Sequence, residues 1–208
     1  DFHNTVVIFQ RFQNILSNAP KLLSDQCAKQ INYILSKEED CQIIQQLIAQ
    51  NKIPLQVCHN DPKISNFLFD KEWNTICLVD LDTIMPGTLL TDIADAIRTI
   101  CVSETEEEAD LNKLYFNYNY FDRFIKSYLR VNRTNLNNSE INNIIKSIEL
   151  IFLEQGIRFL TDYLNGNCYF KVSYKEQNLV RAKNQLYLSE EVANNKKKLD
   201  KILNQYIK

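Results

Sequence analysis

The sequence predicts a mainly helical α+β fold with one small β-hairpin set inside it. Three observations lead there. Only 3 Gly and 4 Pro occur in 208 residues, which disfavours a turn-rich sandwich or barrel and favours helix. Apolar residues recur at helical spacing over most of the chain. That spacing lapses after Pro54, where two short apolar runs, "NFLFD" and "TICLVD", flank the turn "KEWN" and read as paired strands.

Each element follows from its local pattern. Residues 7–16 and 22–49 read as helices. In the second, Leu22, Leu23, Cys27, Ile31, Ile34 and Leu35 share a face, followed by Ile43, Ile44, Leu47 and Ile48. "IPLQVCH" reads as extended. "MPG" at 85–87 breaks the chain, and residues 88–102 resume a helix with Leu90, Ile93, Ala94, Ile97 and Cys101 on one face. Residues 103–112, "SETEEEADLN", are acidic and exposed, and their charges suit a helix N-terminus. An aromatic-rich helix spans 117–130. Ser139 offers an N-cap for a long helix that reaches Leu164 and stops at Asn165-Gly166. "CYFKVSYKEQN" is irregular, and a last helix over 178–206 ends in a solvated tail, "NNKKKLDKILNQYIK".

Hydrophobic residues make up 45% of the chain, enough to bury a core. The net charge of -2 carries no bias toward nucleic acid or a membrane surface. Six cysteines lie scattered without a CxxC; Cys58, Cys77 and Cys101 sit in apolar runs and read as reduced, buried thiols of a cytoplasmic protein. The chain opens on Asp1 rather than Met, which fits a processed product or a piece of a longer protein.

The chemistry concentrates in "VCHNDPKISNFLFD", residues 57–70. His59, Asp61 and Asn66 have the H-x-D-x-x-x-x-N spacing of a phosphoryl-transfer loop. Such a reaction needs a carboxylate to orient and deprotonate the attacking hydroxyl, and an amide oxygen plus a carboxylate to hold Mg²⁺ on the nucleotide phosphates. Asp61 suits the first role and Asn66 the second. Lys63 can meet the transferring phosphoryl group with its point charge. The metal carboxylate is expected after the next strand, where "ICLVDLD" supplies Asp80 and Asp82; if the strand persists, alternation puts both on one side. His59 braces the loop. Taken singly, each of these residues reads as a turn ligand or loop residue; their ordered combination carries the specificity.

"HNDPKISN" followed by "LVDLDTIMPG" resembles the aminoglycoside phosphotransferase and choline kinase family of small-molecule kinases. Within it the closest resemblance is to the N-acetylhexosamine 1-kinases, through "DFHNT", "DIADAIR", "GIRFLTDYLNGNCYFKV" and "NLVRAKNQLYL". The resemblance implies a protein-kinase-like C-terminal lobe spanning 1–208, with the catalytic hairpin at 57–82. It also implies ATP as phosphate donor, Mg²⁺, a sugar acceptor, and an N-terminal nucleotide-binding lobe of the same protein. A Gly-rich phosphate loop and a strand-borne lysine of that lobe are not legible in these residues, so the fragment alone is expected to be inactive. "TDIADAIR" departs from the family in its Ile-Ala, and "EQNL" stands where His-Asn-Leu is expected.

The same resemblance makes Arg158 and Tyr169 acceptor contacts. Glu154, Arg158 and Asp162 are spaced i, i+4, i+8, which alone reads as an exposed ion-pair ladder. Helical projection instead places Arg158 and Asp162 at the border of the apolar face, a position suited to lining a pocket. Asp95 and Arg98, one turn apart, read as structural support for the loop, and Asp92 as a first-turn helix acid or a further support. His3 reads as a surface or capping residue, with a sugar contact as the lesser reading. Two other functions compete: a kinase for an aminoglycoside, choline or another small alcohol, and a catalytically silent module that binds a sugar or a partner.

Overall fold

The structure is a computed structural model that describes residues 2–207. Helix α1 (Thr5–Asn18) is followed by α2 (Lys21–Gln26), α3 (Ala28–Leu35) and α4 (Ile43–Ala49). Four short strands come next: β1 (Gln56–Cys58), β2 (Phe67–Phe69), β3 (Thr75–Leu78) and β4 (Met85–Gly87). The rest is helical: α5 (Leu89–Ile100), α6 (Tyr118–Asn132), α7 (Asn138–Leu164), α8 (Gln177–Asn194) and α9 (Lys196–Leu203). The fold is therefore the expected one: mainly α, with small antiparallel sheets, organised like the C-terminal lobe of a kinase.

Helix α7 is the axis of the molecule. Its 27 residues are buried on nearly every side, because Ile, Leu and Phe occupy more than one stripe. Its N-terminal half joins α5, α6 and α9 in one core around Ile97, Phe121, Ile148 and Phe152. Its C-terminal half joins α1, α3 and α8 in a second core around Phe12, Ile34, Leu160 and Leu186. The helix begins on Asn137 rather than Ser139. The Asn137 side chain accepts from the Glu140 amide and the Glu140 carboxylate accepts from the Asn137 amide, a reciprocal capping box.

Gly156 lets α8 approach α7. A Cβ there would lie 2.6 Å from Cδ2 and 2.7 Å from Cγ of the buried Leu186. Gly156→Ala is expected to be destabilising by about 1–2 kcal/mol net, because overpacking of about 1–3 kcal/mol outweighs the better helix propensity of alanine. Thermal unfolding should show a midpoint several degrees lower; an unchanged or higher midpoint would mean that the two helices separate freely.

The expected 22–49 helix is broken into three. Cys27 leaves helical geometry with φ -107° and ψ 8°. Residues 36–42 then turn so that Thr5 Oγ1 can donate to the Cys41 carbonyl at 2.5 Å, while Lys37 and Asp40 pair with Glu149 and Lys146 of α7. Those distant partners outweigh helical continuity. "MPG" is not a mere break: β4 pairs antiparallel with β1, Cys58 opposite Met85 and Gln56 opposite Gly87. Strands β2 and β3 form the expected hairpin, Phe67 opposite Leu78, with a register shift after Leu68. The hairpin stands off the body, so Cys77 is exposed rather than buried, as is Trp73 at 82%.

Two further expectations need correction. The acidic segment does not start a helix; side-chain cations answer its charges instead. Glu106 lies 3.5 Å from Arg98 and 3.8 Å from Arg181, and Glu107 pairs with Arg181. The C-terminal helix is interrupted at Asn195, and the tail is not simply solvated: Leu199 and Leu203 of α9 are buried in the first core. No helix among the described residues is long and apolar enough to cross a membrane. All six cysteines are free thiols.

Candidate active site

The loop 59–66 leaves β1 and enters β2, with residues 79–84 facing it from the other crossover. Its backbone is clamped by Asp92 in the first turn of α5. The carboxylate accepts from the His59 amide at 2.9 Å and from the Asn60 amide at 2.8 Å. Burial pushes the Asp92 carboxyl up from its usual range, and the two amides offset this only in part. Asp92 is thus a support of the loop, the reading that the sequence left open beside a simple helix acid.

Asn60 is a functional residue that sequence reasoning missed. It is 3% exposed and left-handed at φ 63°, a conformation that asparagine tolerates better than most residues. Its amide donates to the carbonyls of Cys58, Thr83 and Met85, binding the loop to the opposite crossover. Gly87 makes room for it: a Cβ there would fall 2.3 Å from Asn60 Oδ1. The legible signal was an asparagine between His59 and Asp61 in a stretch that must turn sharply.

His59 bridges the two crossovers. Its Nε2 is 3.0 Å from the Val79 carbonyl, and its Nδ1 accepts from the Asp61 amide at 3.3 Å. The Nε2-protonated tautomer satisfies both contacts. Asp61, half-buried, holds Lys63 Nζ at 2.5 Å from Oδ2. Asn66 donates its Nδ2 to the Asp61 carbonyl at 2.8 Å and to Oδ2 at 3.2 Å. With the nitrogen so engaged, the Asn66 amide oxygen is the atom left for a cation.

Asp80 reaches this neighbourhood through the hairpin register. The Val79 amide donates to the Asn66 carbonyl at 2.9 Å, and Asp80 is the next residue along the chain. The strand alternation expected for Asp80 and Asp82 does not apply. β3 ends at Leu78, Asp80 is left-handed at φ 65°, and Asp82 lies in a 3₁₀ turn, Leu81–Thr83. Both acids are exposed. Among the described residues no cluster of three or more His, Cys, Asp or Glu side chains is arranged to hold a metal. Two carboxylates and one amide oxygen are nevertheless a hard-oxygen set of the kind that fits Mg²⁺, whose other ligands are waters and phosphates.

On the opposite side of Asp61 a cavity of about 810 Å³ opens, lined by Asp61, Lys63, Asp95, Arg98, Arg158 and Tyr169 among others. Asn66, Asp80, Asp82 and His59 do not line it. Asp61 therefore sits between a cavity and an acidic, oxygen-rich hairpin. Arg98 Nε lies 2.7 Å from Asp95 Oδ1, both buried in the cavity floor. Arg158 is not part of a wet ladder: Glu154 is 2% exposed, and Asp162 turns away to accept from the amides of Tyr169 and Phe170 at 2.8 and 2.9 Å. Asp162 thereby shapes the irregular segment that presents Tyr169, which is 68% exposed.

Arg158 stacks over the Phe2 ring at 4.8 Å, donates to the Phe2 carbonyl, and lies 3.1 Å from Glu154. His3, expected at the surface or as a cap, is instead sandwiched between Glu154 and Asn60, with Nδ1 2.8 Å from Glu154 Oε1 and Nε2 2.7 Å from the Asn60 carbonyl. Sequence spacing cannot reveal this contact, because 151 residues separate His3 from Glu154.

A half-buried carboxylate at a cavity wall, paired with a lysine and an amide, has the chemistry that phosphoryl transfer to a hydroxyl requires. The chain belongs to the phosphotransferase enzyme family (APH), which matches residues 1–123. The match covers the catalytic loop, the hairpin and α5. Arg158 and Tyr169 lie beyond it.

Proposed function

We propose that this chain is the catalytic lobe of a sugar kinase that transfers the γ-phosphoryl group of ATP to the anomeric hydroxyl of an N-acetylhexosamine. The observation that carries the reading is the place of Asp61, between the cavity and the Asn66–Asp80 hairpin. An acceptor in the cavity would present its hydroxyl to Asp61, which takes the proton as the oxygen–phosphorus bond forms and the bond to the β-phosphate oxygen breaks. Asn66 and Asp80, with Asp82 nearby, would hold Mg²⁺, whose charge neutralises the phosphates. Lys63 moves from Asp61 toward the phosphoryl group. Asp95 and Arg98 support the cavity floor, while Arg158 and Tyr169 meet the acceptor.

The adenine side of the nucleotide would be covered by a β-rich lobe of the same protein. Exposed Val57, Leu68 and Ile76 on the strands and Trp73 in the hairpin turn are the apolar surface that such a lobe would bury, and without it turnover by these residues is expected to be negligible. A panel of acceptors with labelled ATP tests the reading in the whole protein. N-acetylhexosamines should be phosphorylated at the anomeric oxygen; turnover of only choline or aminoglycosides would overturn the acceptor, and turnover of none would overturn the kinase.

A further inference from the structure

We propose that His3 is a positioning residue for Asp61, held as the doubly protonated imidazolium and clamping the Asn60 carbonyl that immediately precedes the catalytic carboxylate. The geometry carries this. Both ring nitrogens face acceptors: Nδ1 the Glu154 carboxylate at 2.8 Å and Nε2 the Asn60 carbonyl at 2.7 Å. A peptide carbonyl can only accept, and so can an ionised carboxylate. A neutral imidazole has one N–H and would leave one of these short contacts between two acceptors. Two such contacts require two protons.

The surroundings agree with that assignment. Burial alone would expel the proton, but Glu154 and the Asn60 carbonyl outweigh it and hold the His3 pKa above its ordinary 6.5. Among the described residues, the charged groups around the ring are Glu154 and Arg158 on α7, the latter opposing the proton, and Asp92 on α5. Burial likewise disfavours the charge of Glu154, yet His3 first and Arg158 second keep its carboxyl below the usual range.

The clamp has a mechanical consequence. Asn60 is fixed at four points: its amide by Asp92, its side chain by three carbonyls, its φ of 63° by that turn, and its carbonyl by His3. Only the last is made by an imidazole, whose ordinary pKa lies near neutrality. The peptide it holds is the one that ends at Asp61, and small misplacements of a catalytic group are costly. The folded-state pKa lies above the unfolded value. Both bonds are therefore complete below about 6.5 and one is lost as pH rises through the raised folded value.

The inference on charge state stands alone; its effect on rate rests on the kinase reading, and the test separates them. The chain has 2 histidines, so long-range ¹H–¹⁵N spectra of the labelled protein resolve both rings. At pH 7, His3 should show two protonated nitrogens and His59 the Nε2 tautomer. Glu154→Gln should lower the His3 midpoint by about one pH unit or more, and the Asp61 backbone amide should titrate with that midpoint. A neutral His3 at pH 7, or an Asp61 amide indifferent to it, overturns the proposal whether or not any acceptor is phosphorylated. In the active protein, kcat should fall on the alkaline side with the same midpoint. His3→Gln should lower kcat about tenfold and flatten that limb with KM for ATP unchanged. A His3→Gln protein that loses thermal stability but keeps the alkaline limb would reduce His3 to a structural contact.

Discussion

In the whole protein, replacing Asp61 by asparagine is expected to lower kcat by about 10²–10⁴-fold, the range that general acid–base catalysis supplies. The fold should survive. Asparagine retains an oxygen to accept from Asn66 Nδ2, which lies 3.2 Å from Oδ2, and the peptide contacts of the loop do not involve the carboxylate. The pair with Lys63 at 2.5 Å is partly exposed on both sides, so its loss costs at most about 1 kcal/mol. Thermal midpoints of the two proteins should agree within a few degrees, while KM for ATP changes little. A variant that retains turnover within threefold of the parent would remove Asp61 from the reaction.

Asp92→Ala is expected to act through the backbone. Its half-buried carboxylate accepts two amides, those of the buried His59 and Asn60, between β1 and α5. Removing it strands both donors, at roughly 1–3 kcal/mol each. For a domain of this size each kcal/mol is worth about 2–4 °C, so the midpoint should fall by about 5–20 °C. The loop that carries Asp61 should loosen as well, and kcat should fall further than the stability loss explains when both are measured at low temperature. Asp92→Asn should be intermediate, because it keeps one acceptor and sets an amide against the other donor. Equal stability of the alanine and parent proteins would show that other groups satisfy the loop.

The candidate constellation was legible because its residues are local. His59, Asp61, Lys63 and Asn66 fall within eight residues, and one turn brings them together whatever the rest of the chain does. Asp80 was legible because two apolar runs around "KEWN" can pair in few registers. Its left-handed backbone was not, since alternation holds only while the strand lasts, and β3 ends at Leu78. Asn60 was not singled out, and Asp92 was left open between a helix acid and a further support. Their work is to saturate backbone groups, and sequence spacing carries no record of which amides lack partners.

Long-range contacts explain the other differences. A continuous helix over 22–49 satisfies the periodicity, but the Thr5–Cys41 bond and the ion pairs of Lys37 and Asp40 to α7 are available only if residues 36–42 turn. The i, i+4, i+8 row of Glu154, Arg158 and Asp162 looks like a surface ladder until the N-terminal Phe2-His3 segment covers its middle and the 165–176 segment folds onto Asp162. Capping followed local rules, but the stronger box of Asn137 with Glu140 displaced Ser139.

By itself, the sequence determined the class of fold, helix from periodicity and few breakers and a hairpin from paired apolar runs, and it gathered the proposed reacting groups by their H-x-D-x-x-x-x-N spacing along one loop. Only the tertiary structure decided how that loop is held and what faces it. The groups that hold and face it, Asp92, His3, Glu154, Arg158 and Tyr169, come from chain segments far apart in sequence. They meet because burying the apolar faces of α1, α5, α7 and α8 draws these segments together: His3, Arg158 and Tyr169 line the cavity, while Asp92 holds the loop backbone and Glu154 holds His3.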